Sequence, residues 1–228
     1  LEDKKRPHGD NLLVGPNSPD AFDEIFFRKN IKNYLNSNSQ YLSKSYKNID
    51  LEKGIKNTIS KILYIRGDKK RYLSKNNYNI TRIEYLLSIF PNARIIICIR
   101  NPVETAKSLV RVHQRFNNFC KENKYVEDQL KTLSHFEFGP QRKPIRLKHN
   151  IYNKIIENWK KGNEYEGYLL QWIDIYSVVL NKYLLNKKIS KKIIVLDNNE
   201  LKTNPKKMIE KTAKFLELEK NKLFLKKA

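Results

Sequence analysis

The feature that most limits how this chain can fold is a short apolar run, Ile95–Ile99, that stops at Arg100-Asn101-Pro102. Apolar, mostly β-branched residues bounded by two arginines are typical of a buried strand in a parallel sheet. Pro102 ends such a strand but fits the first turn of a helix, where its missing N–H costs nothing. The sequence therefore predicts a strand over 95–99 that leads directly into a helix over 103–119.

Arg100 lies at this predicted junction, where an arginine is well placed to hold an anion. Ligands of open α/β sheets bind at the carboxyl ends of strands, and a helix N-terminus offers free amides and partial positive charge. Ser108 follows about two turns into the helix, so its hydroxyl could contact the same phosphate. A structural interpretation stays open, because Arg100 could instead pair with a carboxylate.

Patterns on either side of this unit predict an α/β fold. Tyr72-Leu73-Ser74 is expected to form a short strand that ends at Lys75, and 193–196 a third strand. Between the first two strands, apolar residues recur at helical spacing, at Ile80, Ile83, Leu86, Leu87 and Phe90. This order favours a three-layer domain with 72–74, 95–99 and 193–196 in one parallel sheet and right-handed crossovers.

Further helices are predicted around this sheet. Ser18-Pro19-Asp20 resembles a helix start with Ser18 as N-cap, and helices are expected over 51–65 and 205–216. The segment 168–185 is expected to turn one apolar face to the core, made of Leu169, Trp172, Ile173, Tyr176, Val179, Leu180 and Tyr183. The region 120–165, broken by Gly139-Pro140 and Pro144, is expected to form an irregular cap or substrate-side segment.

The charge of the chain is its most unusual bulk property. Its 46 Lys and Arg against 24 Asp and Glu give a net charge of +22 over 228 residues. Such a charge favours anionic partners, and nucleic-acid binding follows as one alternative function. The lysines are spread along the whole chain with Asn and Ile, and no aromatic RNA-binding pattern or paired-cysteine finger accompanies them. Nucleic acid is therefore an unfavoured partner.

The remaining composition is that of a globular protein. Hydrophobic residues make up 39% of the chain and aromatic residues 11%, enough for a core. No apolar run approaches the roughly 20 residues that a membrane helix needs, and no secretory signal is visible. Cys98, inside the predicted buried strand, and Cys120 give no disulfide framework, and the scattered histidines give no zinc pattern. We expect one cytoplasmic domain over 1–228 that binds no metal.

At the strand, Arg-Asn-Pro and helix, the chain resembles the sulfotransferases that use 3′-phosphoadenylyl sulfate (PAPS). The second cofactor motif of that family is a strand, Arg-Asx-Pro, and a helix with a serine eight residues after the arginine, as Ser108 follows Arg100. Other stretches resemble family segments in the same order: SPDAFDEIFFR (18–28), YLSKNNYNITRIEYLLSIFPNARIII (72–97), SLVRVHQRF (108–116), SHFEFG (134–139) and KKIIVLDNNELKTNPKKMIEKTAKFLELE (191–219).

The resemblance implies a P-loop-NTPase-like parallel sheet flanked by helices, with a helical cap, and transfer of a sulfuryl group from PAPS without a metal. Arg100 and Ser108 would bind the 3′-phosphate, and Lys75 would neutralise charge on the departing bisphosphate. The acceptor would be a hydroxyl or amine of a small molecule, a glycan or a lipid.

The general base is left open by the resemblance. Many relatives carry a histidine two residues after the lysine, where this chain has Asn77, and others use a glutamate downstream of the first cofactor loop. The candidates are His135, His113, Asp20, Asp23 and Glu24. A histidine with an ordinary pKa near 6.5 suits base chemistry at neutral pH.

One part of the family pattern is not found in this sequence. Relatives begin with a strand and a phosphate-binding loop rich in Gly, Ser and Thr, and none of the early glycines, Gly9, Gly15, Gly54 and Gly67, lies in such a loop. Either that loop precedes Leu1 in the full-length gene product, or the chain is a degenerate nucleotide-binding relative without catalysis. On this basis, 1–228 alone is expected to bind the bisphosphate weakly and to transfer sulfate negligibly. A nucleotide kinase is a weaker alternative, since no Lys-Ser/Thr loop is present and Asp197 is the only candidate magnesium residue at a strand end.

Overall fold

A parallel pair of strands lies at the centre of the computed structural model, which describes residues 4–5, 12–15, 23–34, 40–67, 71–132, 136–147 and 149–218. Strand β3 (Ile95–Ile99) pairs in parallel with β4 (Ile193–Asp197), in a register that sets Ile95 beside Ile193 and Ile99 beside Asp197. A separate antiparallel pair joins β1 (Lys4–Lys5) and β2 (Leu13–Val14). The described residues thus form a mixed α/β structure that is mostly helical, with a small parallel sheet.

The elements follow one another in chain order. They are β1 (Lys4–Lys5), β2 (Leu13–Val14), α1 (Glu24–Asn30), α2 (Ile49–Arg66), a 3₁₀ helix (Asn77–Thr81), α3 (Ile83–Ile89), β3 (Ile95–Ile99), α4 (Pro102–Glu122), α5 (Lys124–Thr132), α6 (His149–Lys160), α7 (Glu164–Val178), a π-helix (Val179–Leu184), α8 (Lys187–Ser190), β4 (Ile193–Asp197), α9 (Asn198–Thr203) and α10 (Pro205–Phe215). None of the helices in these described ranges is long and apolar enough to cross a membrane.

The predicted strand–helix junction is confirmed. Strand β3 ends at Ile99, and α4 begins at Pro102 with Asn101 as its N-cap, whose side chain accepts a hydrogen bond from the Glu104 amide. The predicted parallel pairing of 95–99 with the strand near 193 and the C-terminal helix are also confirmed. The predicted start of α1 at Ser18-Pro19-Asp20 lies outside the described residues.

The prediction of a strand at 72–74 is wrong, because residues 71–76 are irregular. Leu73 is 79% exposed and so has no apolar contact that would hold a strand. The Ser74 hydroxyl donates to the Asp23 carboxylate over 2.8 Å, which ties the segment to the start of α1 through a side chain. The three-layer arrangement, which counted this strand, stays a prediction.

The prediction that 95–99 is a buried strand holds for one face of β3 only. Ile97 is its one buried residue, whereas Cys98 is exposed. Side chains alternate between the two faces of a strand, and only the face of Ile97 packs against α7 and the π-helix, through Val178 and Tyr183. Among the described residues β3 has a strand partner on one edge only.

Two helical predictions need correction. In 168–185, Ile173 of the predicted apolar face is about half exposed, while Tyr168 and Val178 are buried instead. The helix then widens into the π-helix at Val179, which shifts the phase of the buried face after that point, and Leu180 is also about half exposed. In 120–165, helices α5 and α6 form around amphipathic sequences, so the irregular part within the described residues is mainly 136–147.

Three apolar clusters hold the helices in place. One joins α1, α2 and α3 around Phe27, Leu51 and Tyr85. A second joins the parallel sheet to α7 and the π-helix. The third joins α4, α6 and α7 around Ala106, Ile155, Trp159 and Tyr168. The carboxyl end of β3 and the segment before the 3₁₀ helix are thereby carried on packed elements.

Candidate functional site

Arg100 follows the carboxyl end of β3, and its side chain lies against the first turns of α4. Its Nη2 and Nε donate to Glu104 Oε2 over 3.0 and 3.3 Å. Ser108 is four residues after Glu104 on the same helix, so the two side chains share a face. Glu104 and Ser108 therefore lie on one face of α4, and the Arg100 side chain reaches that face at the N-terminal end of the helix.

The Arg100–Glu104 pair is exposed to solvent, with the two side chains 39% and 55% accessible. The hydrogen bond and positive charge of Arg100 lower the pKa of Glu104, and Lys202 and Lys107 act in the same direction. The carboxylate thus occupies a guanidinium that could otherwise bind an anion. An exposed pair of this kind contributes little to stability, so an incoming phosphate can replace it.

Lys75 is exposed in the irregular segment before the 3₁₀ helix, between two residues that α1 holds in place. On one side, Ser74 donates to Asp23. On the other, Asn76 Nδ2 donates to Asp23 Oδ1 over 3.0 Å and to Glu24 Oε2 over 2.9 Å. The Lys75 backbone is therefore fixed at both neighbours, while its ammonium group is left to solvent.

Glu24, which belongs to this network, is 3% exposed and pairs with Arg82, which is fully buried. Arg82 Nη2 donates to Glu24 Oε2 over 2.7 Å, and its guanidinium stacks on the Phe27 ring, 3.4 Å from the ring centre. The other oxygen, Glu24 Oε1, is buried and makes no hydrogen bond of good geometry. The buried Tyr34 hydroxyl lies beside this carboxylate, and burial together with this contact raises the pKa of Tyr34. Oε1 is therefore the oxygen of this carboxylate that is held less tightly.

A second carboxylate reaches the Lys75 segment from the other side. Asn77 Nδ2 donates to Glu137 Oε1 over 3.3 Å, and Glu137 is half-buried. The loop that follows α5 therefore touches the same short stretch of chain as α1 does. Between described residues, no hydrogen bond or ion pair joins the residues around Lys75 to the set made of Arg100, Glu104 and Ser108.

His113 lies inside the molecule on α4. It is 5% exposed, its Nε2 lies 2.9 Å from Asn117 Nδ2, and its ring packs edge-on against Tyr168. Burial, with the positive charge of Arg142, lowers the pKa of His113 to about 4. The ring is thus neutral at physiological pH. His135, the other candidate histidine, lies outside the described residues.

Several of these residues were not found by sequence reasoning. Glu104 could have been, because it stands four residues from both Arg100 and Ser108. Arg82 and Glu137 could not, because their partners Glu24 and Asn77 are 58 and 60 residues away along the chain. Among the described residues, no group of three or more His, Cys, Asp or Glu side chains could hold a metal ion.

Comparison with known proteins identifies the family. A sequence model described as the sulfotransferase family matches residues 26–142, which is more than half of the chain, and the chain therefore belongs to this family. The match covers Lys75, Arg100 and Ser108. No curated protein and no solved structure matches the chain. Membership of this family indicates that the protein is a transferase of sulfuryl groups.

Proposed function

We propose that this protein transfers a sulfuryl group from PAPS to a hydroxyl or amine of a small-molecule, glycan or lipid acceptor. The observation that carries the proposal is the alignment of Arg100, Glu104 and Ser108 along one face of α4. Arg100 already binds a carboxylate there, and a phosphate, like a carboxylate, can accept two parallel hydrogen bonds from a guanidinium. An arginine, a hydroxyl and the positive end of the dipole of a 21-residue helix together fit a 3′-phosphate.

Lys75 supplies the cation at the leaving group in this proposal. Sulfuryl transfer resembles phosphoryl transfer, in which catalysis comes mostly from positioning and from cations around the group that moves. The exposure of Lys75 between two anchored neighbours supports this role, since its backbone is held while its ammonium group stays available.

We assign the general base to Glu24 among the candidates. Its carboxylate contacts Asn76, the residue next to Lys75, and its Oε1 makes no hydrogen bond of good geometry. Arg82 and Asn76 both bind Oε2, so the proton of the acceptor would go to Oε1. His113 is less suited, because its ring contacts Asn117 and Tyr168 and not the residues next to Lys75. Replacing His135 by Asn tests the remaining histidine.

The experiment uses the full-length gene product. Transfer is assayed with labelled PAPS and a panel of acceptors, and calorimetry compares adenosine 3′,5′-bisphosphate with adenosine 5′-phosphate. Arg100→Ala should weaken bisphosphate binding by about 2–3 kcal/mol, the value of hydrogen bonds to a charged group, and Ser108→Ala by less. Arg111→Ala, which removes an exposed arginine from the same helix, is the control. Equal affinity of the wild type for the two nucleotides would refute the 3′-phosphate site.

A further inference from the structure

Residues 136–147, the described part of the loop between α5 and α6, are held in place by backbone and side-chain contacts although they have no regular structure. Phe136 is 5% exposed, and its carbonyl accepts a hydrogen bond from the Lys143 amide over 2.6 Å. Phe138 stacks on Phe116 of α4, with ring centres 5.8 Å apart. Gly139 turns the chain with a φ of 82°, a value that favours glycine. Glu137 thus lies between two aromatic anchors, in a loop that is already ordered.

Both the backbone and the side chain of Glu137 have defined contacts. The Tyr168 hydroxyl donates to the Glu137 carbonyl over 3.3 Å, and the side chain accepts from Asn77 over the same distance. Glu24 binds Asn76. The two carboxylates therefore approach neighbouring residues, Asn76 and Asn77, of the segment that exposes Lys75. Glu24 is buried in an ion pair, whereas Glu137 is half-buried and reaches the solvent side.

We propose that Glu137 binds the acceptor and orients its reacting atom toward Lys75. The carboxylate would accept a hydrogen bond from a hydroxyl or ammonium group next to the atom that receives the sulfuryl group. The site would then favour acceptors that carry a second N–H or O–H donor over analogues that lack it. When such an analogue binds, the partly buried carboxylate makes no charge-assisted hydrogen bond with it, and the affinity is lower. This inference rests on the proposed function.

The test measures acceptor kinetics of the full-length protein with two matched pairs, catechol with phenol and trans-1,2-cyclohexanediol with cyclohexanol. Within each pair, the first acceptor has a donor group that the second lacks. In Glu137→Gln, the KM of the donor-bearing acceptor should rise about tenfold. Its kcat and the Kd of the bisphosphate should stay within about twofold, and the KM of the analogue should change little. The control Glu157→Gln removes an exposed carboxylate on α6 that pairs with Lys161 and should change nothing.

Two further variants separate binding from folding. Glu137→Asp keeps the charge one methylene short and should recover part of the lost affinity, while Asn77→Ala removes the amide that holds the carboxylate and should raise the KM less than Glu137→Gln. An unchanged KM in Glu137→Gln, or an equal rise for both members of a pair, overturns the assignment while bisphosphate binding persists. Absence of both transfer and bisphosphate binding in the wild type overturns the proposed function, and the role of Glu137 with it.

Discussion

Glu104 holds the guanidinium that the proposed 3′-phosphate site needs. Because its carboxylate competes for Arg100, Glu104→Gln should strengthen bisphosphate binding. The gain should be about twofold, since an ion pair between exposed side chains is weak. Calorimetry at low salt measures it, and Glu122→Gln, an exposed carboxylate at the far end of α4, serves as the control. Weaker binding in Glu104→Gln would mean that the carboxylate positions Arg100 instead of competing for it.

Lys75 makes a different kind of contribution in the proposed reaction. An ammonium group at the leaving oxygen acts mainly on charge that develops in the transition state. Lys75→Ala should therefore lower kcat about a hundredfold or more while changing the bisphosphate Kd only a few-fold. Lys56→Ala, an exposed lysine on α2, should leave both quantities unchanged. A larger effect on Kd than on kcat would make Lys75 a donor-binding residue.

The sequence predicted single residues best where the chemistry is local. Arg100, Asn101 and Pro102 are consecutive, so the strand end, the helix cap and the exposed guanidinium all follow from adjacent side chains. The Glu24–Arg82 ion pair depends on the packing of α1 against α3 around Phe27, and no spacing rule encodes it. The Asn77–Glu137 contact depends likewise on where the loop after α5 lies.

At the scale of elements, α6 and α7 approach closely at Gly167. A Cβ atom there would overlap the Trp159 indole, and Trp159 packs on Tyr168 beneath Arg142. Gly167→Ala should therefore lower the free energy of unfolding by about 1–3 kcal/mol, the usual cost of overpacking.

The matched variant for this change is Gly54→Ala on α2. A Cβ atom there would meet Phe26 Cδ1 at an ordinary 3.7 Å, so the better helix propensity of alanine should stabilise the protein by about 0.5–1 kcal/mol. Urea denaturation followed by circular dichroism measures both variants. Equal stability of the two would show that α6 and α7 can move apart at little cost.

Helices and strands were predictable where the apolar pattern is compatible with only one kind of secondary structure. The run at 95–99 is five apolar, mostly β-branched residues long, which favours a strand, and it forms β3 as predicted. The run at 72–74 is three residues long and depends on a neighbouring strand for its hydrogen bonds, so the side chains of Ser74 and Asn76 decide its conformation instead. The π-helix after α7 shifts the buried face without any proline or glycine to mark it.

At the scale of the whole molecule, the net charge of +22 surrounds the proposed site with a positive field. Such a field attracts an anionic donor and speeds its association at low ionic strength. The carboxylates of Asp23, Glu24 and Glu137 lie against the Lys75 segment within this basic protein. Under the proposed function, the charge of the whole chain would favour the donor, and the local carboxylates would serve the proton and the acceptor.

Global stability should depend on pH through His113. Its pKa is about 4 in the folded protein and about 6.5 in an unfolded chain, so the unfolded state binds more protons between these values. The free energy of unfolding from this group is therefore fully present above pH 6.5. It should fall by up to about 1.4 kcal/mol for each pH unit as the pH drops toward 4.

The measurement compares the urea midpoint of the wild type and His113→Gln from pH 7.5 to pH 4.5. Arg142 and Glu164, the charged groups that act on the ring from the adjacent loop and from α7, are kept in both proteins. Carboxylates such as Glu104 and Glu157, whose pKa values are lowered by their cationic partners, lose their contribution mainly below this range. The stability difference between the two proteins should shrink steadily as the pH falls below 6.5, because the wild type alone loses the histidine term. A difference that stays constant over the whole range would show that the His113 ring can be protonated in place, with its buried contacts to Asn117 and Tyr168 rearranged to accept the charge.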